Sequence, residues 1–210
     1  MTDNPFAEKA QNDSAAELLT PNALAYTALG QARGDNEHHH HGQTLEGAVP
    51  FLALYYRAIA GRNIAILPYR DQDDPKQFPD THTTIRMPGR MARFKHQKDN
   101  LAWYKVALTH RAAHYEVGTF EFTFEREASH FPRLRPPIEA VSRFDNETDL
   151  ESFFRLFAER QLILELFTIL EALRIDQWMP NRYPGLAGAL KMVQADACSE
   201  RPDISALPPR

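Results

Sequence analysis

The stretch that most constrains the fold of this chain runs from Trp103 to Phe124 and reads WYKVALTHRAAHYEVGTFEFTF. Apolar residues recur three and four positions apart through most of it, which predicts a helix that is apolar over much of its circumference and therefore central to the fold. This helix carries two histidines, His110 and His114, and the chain leaves it through Gly118. Residues 119–124 then alternate polar residues with Phe, which predicts a strand with its Phe side inward.

A second long helix is predicted for residues 149–176, with a break near residues 158–160. Thr148 followed by Glu151 has the spacing of a capping box, which marks where such a helix begins. We expect this helix to pack on the first and to bring Glu171 close to the histidine pair. Its predicted core residues are Phe153, Phe154, Phe157, Leu162, Leu164, Phe167, Leu170 and Leu173.

Four shorter elements complete the prediction. A helix that begins after Thr44 and stops at Gly61 precedes two strands, at residues 63–67 and 83–87. A last helix is predicted for residues 186–195. This order predicts an α+β fold that is predominantly helical, with long central helices and a small sheet.

The domain limits follow from where the apolar periodicity starts and stops. Residues 44–196 are predicted to form a single helix-rich domain, residues 1–43 a flexible N-terminal segment, and residues 197–210 a linker or tail. The run His38–His41 could bind a transition metal loosely or be an ordinary polar loop. At 210 residues with 43% hydrophobic residues, the chain is long enough to bury a real core.

Composition narrows the classes of function. The net charge of −4 argues against a general nucleic-acid-binding protein, and we interpret the basic residues between Arg86 and Lys98 as a solvated loop. A single cysteine, Cys198, excludes an internal disulfide framework and favours a reducing, cytoplasmic location. No apolar run approaches the length of a membrane span, and the N-terminus lacks the features of a signal peptide.

The histidine pair has the spacing of a helical zinc site. His110 and His114 lie four residues apart, so both imidazoles project from one helix face and could share a metal ion with Glu171 as a third ligand. In the H-E-x-x-H motif the residue after the first histidine is a glutamate that acts as general base, but here it is Arg111. The missing base argues against catalysis and favours a hydrogen-bonded histidine pair, with Glu171 or Glu116 as acceptor, over a metal site. The alternative is a degenerate zincin-like arrangement in which the three side chains still converge and Arg111 faces Glu116 or solvent.

Two segments resemble a known family. The segments LTHRAAHYEVGTFEF and DLESFFRLFAERQLILELFTILEALRIDQWMPNRYPG are similar to the N-terminal region of nitric oxide reductase activation proteins and Rubisco-activating adaptors, known as NorD-like and CbbO-like proteins. The resemblance spans roughly residues 45–190. The residues that match its motifs are Glu116, Gly118, Phe120, Glu171, Arg174, Asp176, Tyr183, Pro184 and Gly185.

The resemblance implies a function in protein activation. Members of this family carry a C-terminal von Willebrand A domain and act with a MoxR-type AAA+ ATPase to remodel a client enzyme, either nitric oxide reductase or Rubisco. The D-x-S-x-S motif of that domain is absent from this sequence. We therefore expect a non-enzymatic adaptor domain that requires no cofactor. The alternative is a zinc-dependent hydrolase that uses His110, His114 and Glu171.

Overall fold

The computed structural model describes residues 42–69, 83–126 and 148–200. Helices predominate among them, and the strands are short, so the predicted α+β class with a helical majority is confirmed. The elements are β1 Gln43–Thr44, α1 Leu45–Ala60, β2 Ala65–Pro68, β3 Thr84–Met87, β4 Arg90–Met91, α2 Gln97–Glu116, α3 Asp149–Phe154, α4 Arg160–Arg182, a 3-10 turn at Pro184–Leu186, and α5 Ala187–Ser199.

Helix α1 begins and ends as its sequence predicts. The Thr44 side chain accepts a hydrogen bond from the backbone of Gly47, which satisfies one of the free amides at the helix start. Gly61 closes the helix with φ 67, a left-handed conformation that a residue without Cβ adopts at little cost. The helix packs its buried face, including Leu52 and Tyr56, against α2.

The strands form two small two-stranded sheets. β2 and β3 are parallel, with Ile66 opposite Ile85, and β1 and β4 are antiparallel, with Gln43 opposite Met91. Both predicted strands are confirmed, and β2 is shifted toward the C-terminus by one to two residues. Ile66, Ile85 and Met91 are buried and belong to the same core cluster as the buried residues of the helices.

Helix α2 is the central element, as predicted. It contacts α1, α4, α5 and β1, and it is buried almost without interruption from Trp103 to His114. Burial on all sides explains how one helix can hold both apolar residues and the two histidines inside the protein.

The predicted strand at residues 119–124 is wrong. After α2 the chain turns at Gly118, which has φ 73, and the amide of Thr119 donates to the carbonyl oxygen of His114 at 2.9 Å. The segment makes no strand pairing within the described residues. The prediction that the Phe side of this segment faces inward still holds at two positions, because Phe120 and Phe124 are both buried.

The predicted break in the second long helix is confirmed. Glu151 donates its amide to the Thr148 side chain at 3.2 Å and accepts from the Thr148 amide at 2.7 Å, which completes the capping box. Helix α3 ends at Phe154, and α4 begins at Arg160. α4 continues to Arg182, six residues beyond its predicted end.

The predicted core stripe of α4 is wrong for several residues. Thr168, Glu171, Ile175 and Met179 are the buried residues of this helix, because they face α2. Phe154 is buried as predicted, and Phe153, Leu164 and Phe167 are partly buried against it. The predicted core residues that are exposed are Phe157 at 39%, Leu162 at 48%, Leu170 at 66% and Leu173 at 51%.

The ordered elements extend slightly beyond the predicted domain of residues 44–196. Gln43 belongs to β1, and α5 continues to Ser199. Glu200, just after it, forms an ion pair with Arg93 at 2.6 Å. Residues 1–41, with the run His38–His41, and residues 201–210 lie outside the described residues. Among the helices that the structure describes, none combines the length and apolar character needed to cross a membrane.

Candidate functional site

The two histidines of α2 lie in the interior of the protein, where α2 meets α4. His110 and His114 are 2% and 1% exposed, and their rings are in edge contact with centroids 5.1 Å apart. A spacing of four residues on a helix places side chains one above the other, which is the arrangement predicted from the sequence.

A threonine links His114 to Glu171. The Thr119 hydroxyl lies 3.2 Å from Nδ1 of His114 and donates to Oε1 of Glu171. An ionised carboxylate can only accept, and a hydroxyl has one proton, so Thr119 must accept from the histidine. His114 therefore carries its proton on Nδ1. Its Nε2 has no hydrogen-bond partner within the described residues.

Glu171 is held on its other side by Arg174. The guanidinium donates through Nε to Oε2 at 2.7 Å and through a terminal nitrogen to Oε1, a two-point contact that is stronger than a single hydrogen bond. Burial would raise the pKa of Glu171, but the hydrogen bonds from Arg174 and Thr119 outweigh it and lower the pKa. The carboxylate is therefore charged and has donors on both oxygens.

His110 faces a different acid. Its Nε2 lies 3.6 Å from Oδ1 of Asp176, one turn further along α4 than Glu171. Burial lowers the pKa of His110, although Asp176 and a hydrogen bond to the backbone of Ala172 oppose that shift. Burial also lowers the pKa of His114 to well below its usual value, and the neighbouring His110 and Arg111 add to this. Both imidazoles are therefore neutral at pH 7.

The predicted group of His110, His114 and Glu171 is brought together in part. Glu171 reaches His114 through Thr119, whereas Asp176 is the acid that faces His110. No three His, Cys, Asp or Glu side chains of residues 42–69, 83–126 and 148–200 are grouped so as to hold a metal ion. Both oxygens of Glu171 already accept hydrogen bonds, from Arg174 and Thr119. Zinc at this group stays a prediction.

The predicted position of Arg111 is wrong. It is only 4% exposed and does not face Glu116 or solvent. Glu116 instead accepts from Arg182 and from the hydroxyl of Tyr183 at the end of α4. α2 is buried on nearly all sides, so the 100° turn that separates Arg111 from His110 leads to another buried face.

The residues on which the sequence resemblance was based lie mostly at the contact between α2 and α4. Glu116 binds the end of α4, and Glu171, Arg174 and Asp176 face the end of α2. Pro184 and Gly185 form the 3-10 turn that leads into α5. Thr119 was missed as a site residue because the alternating pattern made it part of a strand. Its position next to Gly118 is the one available signal, since a glycine there allows the chain to turn back.

The comparisons with other proteins give no match. No protein-family model fits the sequence, and no similar protein was found among curated proteins or among solved structures.

The outer face of α4 is a second candidate site. Each residue of a helix turns by about 100°, so positions 162, 166, 169, 170 and 173 fall within an arc of about 100°. All five carry a large apolar side chain that is 46% exposed or more. We call Leu162, Leu166, Ile169, Leu170 and Leu173 the α4 stripe. A contiguous exposed row of this kind is typical of a protein-binding surface.

Proposed function

We propose that this chain is a non-enzymatic adaptor domain that binds a partner protein through the α4 stripe. The observation that carries the proposal is the exposure of five large apolar residues on one face of a helix whose opposite face is packed on α2. An amphipathic helix with an apolar outer face fits a hydrophobic groove on a partner, with anchors spaced three and four residues apart.

The resemblance to the NorD-like and CbbO-like proteins suggests the partner. It would be a MoxR-type AAA+ ATPase, or the client enzyme that such an ATPase remodels, either nitric oxide reductase or Rubisco. Within the proposal, the buried network of His110, His114, Thr119, Glu171 and Asp176 keeps α4 in a fixed position on α2. Its role is to present the stripe, and it needs no cofactor for that.

The test is direct binding to a purified MoxR-type ATPase, measured by calorimetry. Leu166→Gln with Leu173→Gln removes the centre of the stripe and keeps helix propensity, since Leu and Gln are similar in that respect. We expect at least about a tenfold loss of affinity, the effect of removing one central anchor of an interface. Leu54→Gln is the matched control, because Leu54 is 67% exposed on α1, outside the stripe. Equal binding by the double variant and the wild type would contradict the proposal.

A zinc-dependent hydrolase is the alternative, and one observation favours it. Nε2 of His114 carries a lone pair and lacks a hydrogen-bond partner among the described residues, as a metal-binding nitrogen would before it meets the metal. Elemental analysis of protein in which His38–His41 are replaced by Ala would test this. One zinc per chain, lost in His114→Ala, would support the alternative. Zinc absent from the protein after purification with added zinc would count against it.

A further inference from the structure

Helix α1 carries an exposed apolar face on the side away from α2. Only two of its sixteen residues are charged, and its buried residues, such as Leu52 and Tyr56, face α2. The other side holds Phe51 at 47% and Leu54 at 67% exposure. Because each residue turns by about 100°, five exposed uncharged residues fall within an arc of about 100° there. We call them the α1 face: Gly47, Pro50, Phe51, Leu54 and Ala58.

The α1 face has the features of a contact surface rather than of a solvated one. A helix that is apolar around most of its circumference is normally buried on every side. The Phe51 ring is also held in place, because it stacks on Tyr55 with the ring centroids 6.3 Å apart. The Tyr55 hydroxyl donates to Thr109 of α2 at 2.5 Å, since the Thr109 hydroxyl gives its own proton to the carbonyl oxygen of Lys105. An aromatic residue fixed in this way loses little freedom when a partner binds.

The two charges of α1 lie along one edge of this face. Glu46 is in the first turn of the helix and Arg57 in the last. They are eleven residues apart, which places them within about 20° of each other around the helix but about 16 Å apart along it. An antiparallel second copy of α1 brings the same edge of both helices together with the ends reversed. Each Glu46 then lies near Arg57 of the other copy, whereas a parallel copy would bring like ends together.

The shape of the face suits the same arrangement. Its two large residues, Phe51 and Leu54, lie at the centre, and the small residues Gly47 and Ala58 lie four positions beyond them on either side. A two-fold axis between the large residues therefore sets Phe51 of one copy against Leu54 of the other, and Gly47 against Ala58. A two-fold dimer requires a surface that is complementary to itself. The α1 face meets that requirement in both shape and charge.

We propose that two copies of this chain associate through the α1 face, with their α1 helices antiparallel. Phe51 and Leu54 are the anchors of the contact, and Glu46 with Arg57 of the second copy sets its direction. A contact made by one helix face buries less than the about 1,200 Å² of standard specific complexes. The dimer is therefore weak, with a dissociation constant in the micromolar range or above. It does not depend on the proposed adaptor function, because the α4 stripe lies on a different helix.

Sedimentation equilibrium of the full chain tests the proposal. From about 10 µM to about 1 mM, the average mass of the wild type should rise toward that of two chains. Leu54→Gln should weaken association at least about tenfold, the effect of removing a central anchor. Leu166→Gln with Leu173→Gln is the control and should associate as the wild type does. In the binding assay for the α4 stripe the two variants should behave in the opposite way, so failure of one proposal is distinguishable from failure of the other.

The charges test the antiparallel arrangement by themselves. Glu46→Lys and Arg57→Glu each place like charges together at both ends of the contact, so each variant alone should associate more weakly than the wild type at low salt. An equal mixture of the two variants restores opposite charges at both ends and should form a heterodimer. Thermal unfolding of each variant shows that both are folded.

Three results would overturn the proposal. A wild type that keeps the mass of one chain at about 1 mM would mean that a second copy does not bind this face. Association that survives Leu54→Gln but is lost in the double variant of the α4 stripe would place the contact on α4. Association of each charge variant alone that equals association of their mixture would exclude the antiparallel pairing.

Discussion

The two faces of α4 have the reverse of the usual polarity, because the first half of the helix buries polar residues and exposes apolar ones. The inner face toward α2 begins with Thr168 and Glu171, and only then continues with Ile175 and Met179. The outer face over the same turns is the α4 stripe, which is apolar and exposed. A surface helix normally buries its apolar face and exposes its polar one. The first half of α4 therefore buries its polar residues and exposes its leucines.

The difference between the two faces predicts which substitutions destabilise the isolated protein and which matter only when a partner is bound. On the inner face, polar groups are buried with their hydrogen bonds made, so removing one partner leaves another group buried and unsatisfied. On the outer face, the side chains have few neighbours to lose. The inner face should therefore be sensitive to substitution in the isolated protein, whereas the outer face should be sensitive only when a partner is bound.

The largest expected effect comes from Ile175 on the inner face. Ile175→Ala should lower the free energy of unfolding by about 2–5 kcal/mol, the range for removing a large side chain from a packed core. Ile175 is fully buried, whereas Leu170 on the outer face is 66% exposed. Leu170→Ala is the matched substitution and should cost less than about 1 kcal/mol. Urea denaturation of both variants checks the pair, and equal losses would mean that the two faces do not differ.

Leu170 also shows which feature of α4 could not be predicted from the sequence, namely the side of the helix that faces the core. Apolar spacing predicted that a helix exists here and where it breaks, because those features depend on local residues and the Thr148 cap. The same spacing predicted Leu162, Leu170 and Leu173 as core, since the most apolar side of a helix is the usual inner one. Which side faces α2 is decided by tertiary contacts, and those contacts involve Glu171.

For the histidine site, too, the sequence predicted the position of the residues but not their tertiary contacts. The spacing of His110 and His114 and their proximity to α4 followed from helix geometry. Their hydrogen-bond partners did not, because Thr119 reaches His114 only through the turn at Gly118, and Asp176 lies one turn beyond the glutamate that was expected. The burial of Arg111 could not be foreseen, since a charged residue next to a histidine pair would ordinarily face solvent.

The second largest effect is expected at Glu171. Glu171→Gln keeps the shape but removes the charge that Arg174 and Thr119 bind, and should cost about 1.5–3 kcal/mol, typical of hydrogen bonds to a charged group. Glu165→Gln is the control on the same helix, because Glu165 is exposed and bonded only to Gln161 in the described structure. Thermal and urea unfolding measure both. A similar small loss in the two variants would show that the network contributes little.

Acid should weaken the inner face through His114. Burial lowers the pKa of His114 in the folded protein, so it stays neutral there, while in the unfolded chain it takes up a proton below about pH 6.5. The unfolded state then binds more protons, and stability falls as the pH drops through this window. His114→Asn keeps a donor toward Thr119 but does not titrate.

The comparison with His114→Asn isolates that contribution. Between pH 7 and pH 5 the wild type should lose more stability than the variant, as followed by urea denaturation at each pH. His110 has its pKa lowered by burial as well, so part of the acid effect should remain in the variant. Parallel curves for the two proteins would mean that His114 is protonated, or exposed, in the folded state.

The smallest effect should come from the α4 stripe itself. Leu166 and Leu173 are 46% and 51% exposed, so part of the apolar surface of each side chain stays in contact with water in the folded protein. Leu166→Gln with Leu173→Gln preserves helix propensity, and we expect the free energy of unfolding to change by less than about 1 kcal/mol in total. A loss of several kcal/mol would mean that the stripe is covered in the isolated protein. Sedimentation of the wild type over a range of concentrations would then show whether a second copy covers it, because a dimer contact would make both the mass and the melting temperature depend on concentration.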